Sequence, residues 1–221
     1  MSQSGQVATR PGALQAAQLD YVLLDGSSSM SDKWGQTLHS LEQFIDVLRS
    51  QNIASHGILQ VFDSGNLSLI HRDAIIGDWG PLTHGETRIP LPGGMTPLYD
   101  AINLMCRSLR DLNPPRASIV IATDGEEMGS RYTDATQARA LLDWCRAMGW
   151  QVTFLGCDFN NQRQAALLGA NAANMIGVRK EMLKLAGKTL GEKRANNART
   201  GTDINFTDDE KENFGGYLTH G

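Results

Sequence analysis

Asp20-Tyr-Val-Leu-Leu-Asp25-Gly-Ser-Ser-Ser29 is the stretch on which the reading of the fold turns. Asp20 leads into a short apolar run of β-formers that ends at Leu24, and Asp25-Gly26-Ser-Ser-Ser29 is a turn-forming cluster, so the pattern is a buried strand that stops abruptly in a loop. Ser118-Ile-Val-Ile-Ala-Thr123 repeats it and is broken at Asp124-Gly125. Gln151-Val-Thr-Phe-Leu155 and the residues around Asn174-Met-Ile176 read as later strands. Between them lie segments of helical period. From Lys33 to Gln51, Leu38, Leu41, Phe44, Ile45 and Leu48 mark one apolar face. Thr96-Pro97 opens a second helix with Leu98, Ile102, Met105 and Leu109 on one side, ending before Asn113-Pro-Pro115. A third runs from about Asp134 to Met148 and closes at Gly149, and a shorter one spans Gln162 to Leu168. Strands alternating with helices of this length predict an α/β fold, doubly wound, with a mostly parallel sheet and helices on both faces. Gly57–Phe62 and Leu67–Ile70 are joined across only Asp63-Ser-Gly-Asn66, which predicts a hairpin and one antiparallel edge strand.

The chain has 221 residues and a mass of 24.1 kDa, about one and a half typical domains. With 41% apolar and 20% charged residues it can build a real core. A formal charge of -4 and a pI near 5.7 exclude bulk attraction to nucleic acid or to an anionic membrane. The N-terminus lacks an apolar segment of signal-peptide type, and no stretch is long and apolar enough to span a bilayer, so a cytoplasmic location is expected. Cys106, Cys145 and Cys157 are odd in number and set among apolar residues, which favours buried free thiols over a disulfide framework or a zinc knuckle. The five histidines show no ligand spacing.

In open α/β sheets ligands bind beyond the carboxyl ends of the strands, near the point where strand order reverses. The loops after the first and fourth strands both carry aspartate: Asp25-Gly26-Ser27-Ser28-Ser29 and Thr123-Asp124-Gly125-Glu126-Glu127. Between them, Gly93-Gly94-Met95-Thr96-Pro97-Leu98-Tyr99-Asp100 places a hydroxyl at a helix N-terminus. Five oxygen donors, Asp25, Ser27, Ser29, Thr96 and Asp124, can therefore converge from three loops. An all-oxygen set without Cys or His selects a hard cation such as Mg²⁺ or Mn²⁺. If the hydroxyls bind directly, the ion stays poorly neutralised and accepts a carboxylate from outside.

Each element also has a structural explanation. Thr96-Pro97 fits an N-cap followed by proline at the first helical position, and the two Asp-Gly pairs fit turns at strand ends. Three such coincidences at one end of the sheet favour the metal reading. Met30, Trp34, Met95, Tyr99 and Glu126 lie beside these motifs, together with Met128 and Tyr132. Met and aromatic residues around a charged centre suit partner binding, the alternative being that they pack beneath their loops.

The three motifs together resemble the von Willebrand factor A family, whose metal-ion-dependent adhesion site combines D-x-S-x-S after the first strand, a distant Thr and a later Asp. Asp25, Ser27 and Ser29 match the first, Thr96 the second and Asp124 the third. The resemblance covers roughly residues 18–178 and is to the small stand-alone A domains of bacteria and their phages. It implies a Rossmann-like sheet with one antiparallel edge, and a non-catalytic module that binds the Asp or Glu of a partner protein through Mg²⁺ or Mn²⁺. Two other classes stay open. One is a Mg²⁺-dependent phosphotransferase or phosphatase of the haloacid-dehalogenase type, which would use Asp25 as nucleophile but has Ser27 where a second carboxylate is needed. The other is a structural or assembly component of a phage particle or of a chaperone complex with an AAA+ ATPase.

This reading leaves residues 1–18 as an N-terminal extension, 19–178 as the domain, and 179–221 as a basic helix followed by an acidic tail. Residues 179–199 carry a local charge of +5, and residues 201–221 one of -4. The basic run is expected to be a solvated face, with Met182, Leu183, Leu185 and Leu190 on its apolar side. Thr207-Asp-Asp-Glu210 is a capping-box pattern that predicts a short helix.

Overall fold

The computed structural model describes residues 18–65, 67–83, 89–156 and 160–215. Within them the apolar runs become six strands of one sheet: β1 (Gln18–Asp25), β2 (Ser55–Phe62), β3 (Leu67–Ile75), β4 (Arg116–Ala122), β5 (Gln151–Gly156) and β6 (Met175–Gly177). The strand order is β3-β2-β1-β4-β5-β6. Five strands run parallel, and β3 pairs antiparallel with β2 at one edge. The N-terminal segment to residue 17, Cys157 and the residues from 216 onward lie outside the described residues.

The described residues also form six α-helices: α1 (Trp34–Ser50), α2 (Leu98–Leu112), α3 (Ala135–Ala147), α4 (Asn160–Leu167), α5 (Leu183–Thr200) and α6 (Asp208–Asn213). Alternation along β1 divides the core in two, because successive side chains leave a strand on opposite faces. Leu19, Tyr21 and Leu23 pack with Leu98, Ile102, Met105 and Leu109 of α2 and with Ala138, Leu142 and Cys145 of α3. Val22 and Leu24 pack on the other face with Leu41, Phe44, Ile45 and Leu48 of α1 and with Leu183, Ala186 and Leu190 of α5. Each such fully buried aliphatic or aromatic side chain is worth about 1.5–3 kcal/mol of transfer free energy.

Local signals set the helix ends. Asn113 adopts a left-handed conformation (φ 42°) just before the prolines and ends α2. Asp134 and Gln137 form a reciprocal capping box at the start of α3, and Gly149 follows its end with φ +76°. The Cys106 and Cys145 thiols meet between α2 and α3 at 3.7 Å, buried and free.

The described residues from Arg179 to Gly215 contribute to the core. Leu183, Ala186, Leu190, Ala195, Ile204, Phe206 and Phe214 belong to the same apolar cluster as β1 and α1. Helix α5 approaches α1 closely because Gly187 and Gly191 face it: a Cβ on Gly187 would lie 2.0 Å from the Ser40 carbonyl oxygen, and one on Gly191 would lie 2.8 Å from Val47. Arg194, expected on a solvated basic face, is buried and binds both carboxylate oxygens of buried Asp20 at 2.6 and 3.1 Å. Leu185, expected on the apolar side, is instead exposed. The acidic segment folds back onto the basic one: α6 starts at the Thr207–Glu210 capping box, and Glu210 pairs with Lys193 at 2.8 Å. Sequence reading missed this because a charge run is weighed against water, whereas three of its seven cations, Lys180, Lys193 and Arg194, have carboxylates waiting on other elements, Asp32, Glu210 and Asp20.

Candidate functional site

The parallel register places the carboxyl ends of β1 and β4 side by side, with Leu24 opposite Ala122. The chain leaves β1 toward β2 on one side and later returns through β4 on the other, so strand order reverses between these two ends, where a crevice is expected. Backbone bonds lace the loops together there. Gly93 N–H donates to the Gly26 carbonyl (2.8 Å), Ser28 N–H to the Gly94 carbonyl (3.1 Å) and Ser64 N–H to the Met95 carbonyl (3.1 Å). The Thr96 carbonyl accepts from Met128 N–H at 2.8 Å, tying the third loop to the second.

The five candidate donors come together on this frame. Asp25 is completely buried; its Oδ1 accepts from Ser27 N–H (2.8 Å) and its Oδ2 from the Thr123 hydroxyl (2.6 Å). The turn-forming role considered for Asp25 is therefore real, and it uses one carboxylate oxygen. The Ser27 and Ser29 hydroxyls lie 3.0 Å apart, and Ser29 donates to Asp124 Oδ1 at 2.7 Å. Thr96 does not cap α2 with its hydroxyl: the residue preceding the helix is Pro97, without a side-chain cap, and the Thr96 carbonyl takes the Leu98 N–H at 2.8 Å. The Thr96 hydroxyl borders Gly125 instead. A Cβ added at Gly125 would stand 3.1 Å from Thr96 Oγ1 and 3.5 Å from Ser29 Oγ, so the glycine keeps open a small space between those hydroxyls.

Burial pushes the Asp25 carboxyl above its ordinary range; hydrogen bonds from Thr123 and Ser27 pull it back, and the nearby Asp124 charge adds to the rise. Two buried carboxylates joined through a serine pair favour a cation. Among the described residues no three His, Cys, Asp or Glu side chains converge, so hydroxyls must supply the remaining donors. Such a set suits a hard, oxygen-seeking ion and not zinc.

Two residues that sequence reading did not assign also enter the site. Thr123, the last residue before Asp124, anchors Asp25. Lys33, four residues after Ser29, brings its ammonium to 2.5 Å from Asp124 Oδ2, and its side chain is only 12% exposed. Thr123 was legible as the hydroxyl of a Thr-Asp-Gly turn; Lys33 was not, because its side chain reaches its partner only through the tertiary fold.

No protein-family model matches the sequence, and no curated protein matches it either. Solved structures do resemble it in shape. The von Willebrand factor domain of the type V pili tip protein Mfa5 from Porphyromonas gingivalis superposes with a TM-score of 0.65 at 10% identity, covering 89% of this chain and all of that one. The pilus adhesin SpaC from Lactobacillus rhamnosus GG gives 0.62 at 11% identity over 84% of this chain and 31% of that one. Manganese-loaded Plasmodium vivax TRAP protein gives 0.53 at 17% identity over 78% and 71%. The fold is that of a von Willebrand factor A domain. Among the described residues no helix is long and apolar enough to cross a membrane.

The rim departs from expectation. Met30 and Trp34, read as partner-binding, are buried in the α1 side of the core. Tyr99 is half-buried, and its hydroxyl accepts from Gln164 Nε2 at 2.8 Å, so it packs beneath its loop. Met95 (42% exposed) and Glu126 do reach the surface. The larger exposed apolar groups near the site are Met128 (61%) and Tyr132 (85%). Glu127 turns inward and accepts from the N–H groups of Tyr99 (3.0 Å) and Ser130 (2.7 Å), which fixes the 126–133 loop to the start of α2.

Proposed function

We propose that this chain is a non-catalytic protein-binding module whose ligand presents an Asp or Glu side chain to a divalent cation, Mg²⁺ or Mn²⁺, held by Asp25, Ser27, Ser29, Thr96 and Asp124. The observation that carries this reading is the meeting of three hydroxyls and two buried carboxylates from three loops around the space kept open by Gly125. The adhesin and pilus proteins that share the fold support an interaction role, and the manganese-loaded relative in shape supports the choice of ion.

When bound, the ion supplies an open, electrophilic coordination position for the partner's carboxylate. Asp25 is held in place by Thr123 and Ser27 and contributes charge beneath the hydroxyls. Ser27 and Ser29 present neutral oxygens, which leave the ion its Lewis acidity. Exposed Met95, Met128 and Tyr132 supply adaptable apolar contact around the acidic anchor of the partner. In a capture experiment with the full chain immobilised, a partner retained in Mg²⁺ should be released by EDTA and not retained by Asp25→Ala. Retention of the same partner through both treatments would falsify the proposal.

A further inference from the structure

Building on the cation site just proposed, we infer that Lys33 is an internal competitor for the metal: its ammonium and a divalent ion claim the same oxygen of Asp124. The Asp124 side chain is fully buried and its two oxygens are already taken, Oδ1 by the Ser29 hydroxyl at 2.7 Å and Oδ2 by Lys33 Nζ at 2.5 Å. A lysine at this depth is there for its charge, since an ammonium is strongly hydrated and costly to shield from water. It offsets part of the charge that buried Asp124 sets beside buried Asp25.

A divalent ion among the hydroxyls of Ser27, Ser29 and Thr96 would stand within a few ångströms of that ammonium, and like charges at such range in a desolvated site repel strongly. The two cations therefore exclude each other. Lys33 is built to yield. Its backbone is pinned between the 3-10 turn Ser28–Asp32 and α1, with its N–H on the Met30 carbonyl at 3.0 Å. Its stem is long and unbranched, and 12% of the side chain already meets solvent, so rotamer changes alone carry the ammonium outward. The cluster thus stays assembled without metal, and loading requires a cation concentration high enough to displace a tethered one. Metal loading, and with it partner binding at this site, is thereby shifted to higher free divalent-ion concentration.

The test is a calorimetric Mn²⁺ titration of the full chain, with thermal unfolding in EDTA and in Mn²⁺, for wild type, Lys33→Met, Lys33→Arg and Asp25→Asn. Lys33→Met should bind Mn²⁺ at least about tenfold more tightly than wild type, melt lower in EDTA and gain more from Mn²⁺. Lys33→Arg, which keeps the charge, should stay near wild type. Should Lys33→Met fail to fold in EDTA, Lys33→Gln carries the same titration. Equal or weaker Mn²⁺ affinity in the neutral variants overturns the competition while leaving the metal site intact. Absence of Mn²⁺ binding in both wild type and neutral variants, or unchanged binding in Asp25→Asn, overturns the metal site itself.

Discussion

Strand β1 carries two buried aspartates five residues apart, and the fold treats them in opposite ways. Asp20 meets Arg194 in a two-pronged, fully buried ion pair that reaches across 174 residues of sequence. Asp25 meets a backbone N–H and a threonine hydroxyl, with a second carboxylate nearby. One charge is satisfied by an arginine of the chain; the other is left with neutral donors at the candidate site. Burial of a carboxylate alone does not mark function. What distinguishes these two aspartates of β1 is whether a cation of the same chain binds the carboxylate directly, as Arg194 binds Asp20.

The largest expected effect lies at the satisfied end. Arg194→Met leaves Asp20 as an unpaired buried charge, which costs about 3–5 kcal/mol. For a chain of this size that is a fall of roughly 10 °C in Tm. Replacing both partners with Asp20→Leu and Arg194→Met should restore most of the loss, because a buried pair exchanged for apolar groups of similar volume is close to neutral. Chemical denaturation of the single and double variants checks this. A single variant within about 1 kcal/mol of wild type would mean that Asp20 is no better compensated than Asp25, and the contrast would collapse.

Next in size is a pair of glycine substitutions. Gly187→Ala drives a Cβ to 2.0 Å from the Ser40 carbonyl where α5 crosses α1. Backbone must move there, at a cost of about 1–3 kcal/mol. Gly125→Ala meets only side-chain atoms, the Thr96 and Ser29 hydroxyls at 3.1 and 3.5 Å and the Thr96 methyl at 3.6 Å, and should cost under about 1 kcal/mol while filling the space the proposed cation needs. The expected pattern is therefore a destabilised Gly187→Ala that still binds Mn²⁺, beside a nearly wild-type Gly125→Ala that does not. Reversed roles would place the open space at the wrong end of the molecule.

These two ends were not equally legible in the sequence. Asp25, Ser27, Ser29, Thr96 and Asp124 could be read because each sits in a short motif at a strand or helix end, where topology alone brings such residues to one edge of the sheet. The α/β alternation was legible for the same reason: apolar period and turn residues are local. Arg194 and Gly187 were not, since a buried arginine and a helix-crossing glycine have meaning only against Asp20 and Ser40, more than 140 positions away. Met30 and Trp34 were misplaced because nearness in sequence to a surface loop does not say which face of a helical turn they occupy. Both point into the core.

The smallest effect is a pH test of the same contrast, using Asp25 and Glu210. Burial holds the Asp25 carboxyl above the ordinary value of 3.8, so the native state keeps its proton after the unfolded chain has released one. Stability attributable to this group is therefore lost as pH rises from about 3.8 through the folded value. Glu210 behaves in the opposite sense. Partial burial works against ionisation there too, but the Lys193 ammonium and the Thr207 N–H outweigh it and hold the carboxyl below 4.5. The stability it brings is present above pH 4.5 and is lost as pH falls through the folded value. In EDTA, then, Asp25→Asn should melt above wild type at pH 7, with the gap closing as pH falls below about 3.8, where Asp25 becomes protonated in both states. Glu210→Gln keeps the capping geometry and forfeits only the charge, so it should lose about 0.5 kcal/mol at pH 7 and converge on wild type in acid. Adding Mn²⁺ should raise the melting temperature of wild type and of Glu210→Gln but leave Asp25→Asn unmoved. Difference curves of the same slope for the two variants would show that Asp25, like Glu210 and Asp20, is already matched by a charge of its own chain, and that the carboxyl end of β1 is only a well-made turn.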